Sequence, residues 1–108
     1  MKTLSYSQSR DLELIECEFM NMIETIRKTN ENANIFLSEC PPRRDVNVKE
    51  VNNVIRNVAR DYKINLIDTY NKFITKNGNN DIALIWRDGV HLTDRGTATL
   101  LKHYHNYV

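Results

Sequence analysis

Arg87-Asp88-Gly89-Val90-His91-Leu92-Thr93-Asp94-Arg95-Gly96 sets a carboxylate and an imidazole in Asp-x-x-His spacing on a glycine-bearing loop directly ahead of a helix. A carboxylate so placed holds the imidazole in one tautomer and stabilises its protonated form. The other ring nitrogen is then free to take a proton from a nucleophile. Gly89 permits the tight turn that brings Asp88 and His91 together. Thr93 suits the helix N-cap, Asp94 is a favourable charge in the first turn, and Gly96 allows another backbone to approach the helix. By spacing alone such a pair is commonplace and describes an ordinary surface loop.

The chain upstream supplies the context. From Ser9 to Asn30, Leu12, Ile15, Phe19, Met22, Ile23 and Ile26 recur at three- and four-residue steps, one stripe of an amphipathic helix with Ser9 as its N-cap. Residues 1–8 read as a flexible lead-in. Ala33–Glu39 is a short apolar run stopped by Pro41-Pro42, which predicts a strand. Asn47 and Glu50 form a capping box, with Val46 stapled on Val51, and Val51, Val54, Ile55, Val58, Ala59 and Tyr62 continue as a helical face. Ile64–Asp68 is a second strand, and Asp68 caps a short helix over Tyr70–Ile74. Gly78 closes that segment. A last helix starts at Thr93 and buries Leu100, Leu101, Tyr104 and Val108.

Helix, strand, helix, strand, short helix, helix is an α/β order, with parallel strands joined by right-handed crossovers. Two parallel strands alone leave two open edges, whereas parallel sheets are normally wider and covered on both faces. Either the sheet is completed by a second chain, or this is the rear half of a larger sheet. The second is favoured.

Bulk properties narrow the function. At 108 residues the chain is a single domain, 1–108, with 41% hydrophobic residues, too many and too well patterned for disorder. Fifteen basic residues against 14 acidic ones argue against an electrostatic nucleic-acid binder. No stretch approaches the roughly 20 apolar residues that cross a bilayer. The chain as given carries no secretory signal, which favours an intracellular location. Cys17 and Cys40 have neither CxxC nor Cys/His metal spacing, so a disulfide framework is not expected and a reducing compartment fits at least as well; no metal or organic cofactor is implied. His103 and His105 project about 200° apart on a helix and share no metal from one face; both read as surface residues.

The 87–96 block resembles the last conserved block of the SGNH/GDSL hydrolase family, whose catalytic Asp and His sit three apart before the final helix. Asn34-Ile35-Phe36-Leu37-Ser38, then Pro42-Arg43-Arg44-Asp45, the helix with Val51-Asn52, and Ile67-Asp68 ahead of Phe73 are similar to preceding parts of that fold, in order, from about Ser9 to Val108. The resemblance implies a partial flavodoxin-like three-layer α/β/α fold and ester hydrolysis by a Ser–His–Asp triad. Asp88 would orient and His91 would act as general base. The family's Gly-Asp-Ser nucleophile block and its Gly-x-Asn-Asp segment have no counterpart, since the first glycine here is Gly78. No Gly-x-Ser-x-Gly elbow exists either, and Ser5, Ser7, Ser9 and Ser38 have no features of a nucleophile. Losing a serine nucleophile costs about 10⁶ in turnover and an oxyanion donor about 10²–10³, so the chain alone should be nearly inactive.

Other residues carry weaker signals. Cys40, at a strand's carboxyl end, is a conceivable nucleophile, but a half-buried structural thiol is the better reading. Arg43 and Arg44 read as a solvated loop, with contact to an acidic substrate as the second option. Trp86 walls a substrate pocket or, more simply, fills core. Three functions remain: the carboxy-terminal part of a serine esterase that acts on an ester substrate once its upstream half is supplied, a non-catalytic binding module, and a chain that self-associates through its open sheet edges.

Overall fold

The computed structural model describes residues 6–108. Helix α1 spans Tyr6–Thr29, strand β1 Phe36–Ser38, helix α2 Val48–Tyr62, strand β2 Asn65–Ile67, a 3₁₀ turn Tyr70–Phe73, and helix α3 Asp94–His105. This is the element order expected. The strands pair in parallel, Phe36 with Asn65, Leu37 with Leu66 and Ser38 with Ile67, and α2 makes the crossover between them. The fold class is α/β, with a two-stranded sheet open at both edges.

Helix α2 is the element on which the rest is assembled. Val48, Asn52, Ile55, Val58 and Ala59 recur at three- and four-residue steps on its buried face, and α2 packs on both strands and on α1. It ends because Lys63 turns left-handed (φ 54°, ψ 46°), directing its N–H back to the Ala59 and Arg60 carbonyls. Beyond β2 the chain closes a second small core in which Phe73, Leu84 and Ile85 are buried and Leu92 and Leu100 pack against them. Gly78 (φ +82°) turns the chain back between Ile74 and Asn80.

Several local expectations give way to three-dimensional contacts. Helix α1 begins at Tyr6, so Ser9 lies inside it and caps nothing; with no glycine or proline between Tyr6 and Ser9, the helix has no cause to stop there. Tyr6–Gln8 are thus helical, whereas positions 1–5 of the expected lead-in, Ser5 included, lie outside the described residues. The capping box at Asn47 does not form. Asn47 adopts φ −80°, ψ 74° and makes no side-chain cap bond, because Val48 N–H donates to the Val46 carbonyl at 2.9 Å in an inverse γ-turn. Thr93, with extended ψ of 170°, does cap α3, and its hydroxyl accepts from Gly96 N–H at 3.0 Å.

Asp68 does not cap the 3₁₀ turn. Glu39 does so from the end of the neighbouring strand, its Oε1 accepting from the N–H groups of Thr69 at 3.0 Å and Tyr70 at 3.1 Å. Helix α3 presents Gly96, Leu100 and His103 inward, while Leu101 is 64% and Val108 86% exposed. His103, expected at the surface, is buried because its Nε2–H finds the Asp68 carbonyl at 2.6 Å. His105 is exposed, as expected.

Candidate active site

The Asp88–His91 loop is built by backbone bonds that leave its side chains little choice. Gly89 N–H donates to the Trp86 carbonyl at 2.9 Å, and Trp86 N–H to the His91 carbonyl at 2.9 Å. An antiparallel bridge between Ile85 and Leu92 closes the base. The turn requires φ of +70° at Gly89, where a Cβ would also come within 3.1 Å of the Arg44 Cβ. Arg44 N–H in turn donates to the Gly89 carbonyl at 2.7 Å, tying the loop to the segment after β1.

Within that frame both Asp88 oxygens are used. Oδ1 accepts from Val90 N–H at 2.9 Å and His91 N–H at 3.1 Å, while Oδ2 lies 2.7 Å from His91 Nδ1. The His91 bond first, then the two N–H bonds, depresses the Asp88 carboxyl to about 2. An ionised carboxylate only accepts, so Nδ1 carries the proton and Nε2 is the free acceptor. The His91 side chain is 75% exposed, so Nε2 is open to a reacting partner. Chemically, the pair is an oriented imidazole base with a charged carboxylate behind it.

Among the described residues no hydrogen bond is made to His91 Nε2. Ser38 lies at the end of β1 with its hydroxyl bonded to the Glu39 carbonyl, Thr69 Oγ1 and the Tyr104 hydroxyl. Cys40 is half-buried, as expected of a structural thiol. Asn52 clamps its backbone, accepting from Cys40 N–H at 2.7 Å and donating to its carbonyl at 3.0 Å. Burial, and then the charge of Glu39, push its thiol upward, away from the reactive thiolate. Cys17 is exposed on α1.

The basic residues divide. Arg43 is held bidentately by Asp45, at 2.6 and 2.9 Å. Arg44 runs its aliphatic stem along Gly89, and both arginines line a cleft together with Lys49 and Arg87. Lys49 and Arg87 stand out by no spacing in the sequence and are gathered by the fold. Trp86 does not fill core: it is 60% exposed and, with the 82% exposed Ile82, borders a shallow depression beside Asp88.

A second polar group forms where the strands end. Glu39 is 4% exposed and meets Arg56 at 2.5 Å. Burial raises its carboxyl, but bonds from Asp68, Tyr70 N–H, Arg56 and Thr69 N–H outweigh this, and the net direction is downward. Asp68 moves upward, through the bond shared with Glu39, burial and the Glu39 charge. Among the described residues no group of His, Cys, Asp or Glu side chains could hold a metal ion, and no helix is long and apolar enough to cross a membrane.

Two parallel strands joined by α2, with a capped final helix, make an α/β fold that this chain shares with a solved esterase domain. The solved structure of the esterase domain of the ZfL2-1 ORF1 protein, from the zebrafish ZfL2-1 retrotransposon, matches with a TM-score of 0.71 and 22% identity over 89% of this chain. The chain covers 61% of the length of that structure. No family model and no curated protein matches the sequence.

The depressed Asp88 carboxyl has a measurable outcome. Its folded value of about 2 lies below the roughly 3.9 of an unfolded aspartate, so its contribution to stability is present above about pH 4 and is lost as pH falls towards 2. The Asp88 carboxyl ¹³C resonance is expected to titrate near pH 2, and at a higher pH in His91→Ala. An unchanged midpoint in the variant would remove the pairing.

Proposed function

We propose that the chain is the carboxy-terminal part of an SGNH/GDSL-type serine esterase domain, with Asp88 as the orienting acid and His91 as the general base. The observation that carries this is the 2.7 Å Nδ1–Oδ2 bond, made while the other Asp88 oxygen is fixed by two N–H groups. It leaves Nε2 as a solvent-facing base of defined direction. In acyl-ester hydrolysis Nε2 takes the proton of the attacking hydroxyl, and the imidazolium is stabilised by Asp88 before returning the proton to the leaving alkoxide. The nucleophile and the oxyanion donors belong to an upstream half, without which turnover is lost. Arg43, Arg44 and Trp86 border the approach and act on the substrate side.

A second reading, a non-catalytic binding or self-assembly module derived from the fold, is favoured by one observation. Large apolar side chains stand exposed at Ile82, Leu101 and Val108, and the two-stranded sheet has two open edges.

Hydrolysis of p-nitrophenyl acetate by the purified chain and by His91→Ala, both checked for folding by circular dichroism, tests the first reading. Both rates are expected within about twofold of each other and near that of free imidazole, roughly 10⁶ below a complete serine site. A wild-type rate well above imidazole, abolished by the substitution, would mean that this chain holds its own nucleophile.

A further inference from the structure

One cleft of about 400 Å³, within the range of ligand sites, is lined by Arg43, Arg44, Lys49 and Arg87, with Tyr70 and Asn80 beside them. No carboxylate lines it. Arg43 is neutralised by Asp45, whereas Arg44, Lys49 and Arg87 make no ion pair among the described residues. Three uncompensated cations therefore face one space, an arrangement that is unfavourable until an anion enters. Their positions are set by the fold rather than by loose side chains alone. The Arg44 backbone is pinned to Gly89, and its stem packs along that residue. Helix α2 also begins at this cleft without a side-chain cap, adding partial positive charge.

The cleft is joined to the acid–base pair. Gly89, the turn residue between Asp88 and His91, forms part of its wall, and Arg87 borders both this cleft and the depression beside Asp88. We infer that the cleft holds a phosphate group carried by the ester substrate, remote from the bond that is cleaved, with Arg44 and Arg87 as its principal contacts. A planar guanidinium fork matches phosphate oxygens two at a time. Two or more negative charges answer three cations better than the single charge of a carboxylate. This names the substrate class of the esterase reading and rests on it.

The test is a titration of ¹⁵N-labelled protein with inorganic pyrophosphate, at ionic strength matched with sodium chloride, following the amides of Arg44, Lys49 and Gly89. Saturable shifts are expected. An Arg44→Gln/Arg87→Gln double variant, which keeps the stem on Gly89, weakens binding by about tenfold or more. Glycerol 3-phosphate binds at the same amides and glycerol does not. Shifts that fail to saturate, or a double variant that binds equally well, overturn the phosphate site. Pyrophosphate binding without glycerol 3-phosphate binding overturns its assignment to a substrate. His91→Ala is expected to bind pyrophosphate as the wild type does. An Asp88 midpoint that does not respond to His91→Ala sinks the acid–base reading alone, whereas absent pyrophosphate binding sinks the phosphate pocket and leaves the acid–base pair standing.

Discussion

Gly96→Ala is expected to lower the unfolding free energy by about 3 kcal/mol or more, at the upper end of overpacking costs. In an ordinary helix the same change would stabilise by up to about 1 kcal/mol, because alanine loses less backbone entropy. Here the added Cβ would lie 2.0 Å from the Leu84 carbonyl oxygen and 2.9 Å from its carbon. Neither atom can rotate away. The same oxygen accepts from Thr93 N–H at 2.9 Å, so α3 must retreat from the segment that contributes Leu84 and Ile85 to the small core. A melting temperature lowered by roughly 12 °C or more measures this, at about 4 °C or more per kcal/mol for a domain of this size. Gly78→Ala is the contrast: its φ is +82° with nothing within 4 Å, so backbone strain alone acts, at about 1 kcal/mol. Equal effects at the two positions would mean that the approach of Leu84 to Gly96 is not real.

Glu39→Ala should cost about 2–4 kcal/mol, because it strands a buried Thr69 N–H and the Tyr70 N–H, each worth about 1–3 kcal/mol when unpaired. Arg56, half-exposed, recovers water in the variant, so the loss stays below that of a fully buried ion pair. Urea titration across pH measures it. Glu39 has a depressed folded value, so its contribution is present above the unfolded value near pH 4.3 and is lost as pH falls. Asp68 has a raised one, so its contribution is present at low pH and is lost as pH rises through the folded value. The two oppose each other, and removing Glu39 should move the Asp68 carboxyl downward, since the bond and charge of Glu39 are among the causes that raise it. An Asp68 midpoint unmoved by Glu39→Ala would break the coupling.

What could be read from the chain depends on how far apart the deciding residues lie. Thr93 and Gly96 act within one helical turn, and Asp88 reaches a histidine three positions on; each was legible as spacing. The strand at Phe36–Ser38 was legible because Pro41-Pro42 punctuates it. The Glu39 cap was not, since its acceptors and donors are separated by 30 residues and meet only when the strands pair. Local pattern pointed to Asp68 because it was nearer. In α3 the pattern was read as burying both Leu100 and Leu101, a full 100° step apart, and of the two only Leu100 packs inward. His103 settles it with a ring N–H that reaches the Asp68 carbonyl. The basic cleft draws Arg44, Lys49 and Arg87 from separate elements, and no spacing rule joins them.

Helix α1, the longest element at 24 residues, has one buried apolar residue among those described, Ile23. Leu12, Ile15, Phe19 and Met20 are only half-buried, and polar anchors to α2 are added by the Arg27 bond to the Tyr62 carbonyl, the Tyr62 hydroxyl bond to Glu24, and Arg27 over the Tyr62 ring. A helix held mainly by half-buried side chains is expected to open below the global unfolding free energy. Its amides therefore exchange with solvent through sub-global opening, while those of α2 wait for the whole sheet to come apart. The bonds that fix the Asp88–His91 loop come from Arg44, Trp86, Val90 and His91, none of them in α1, so the base is expected to stay in place when α1 opens.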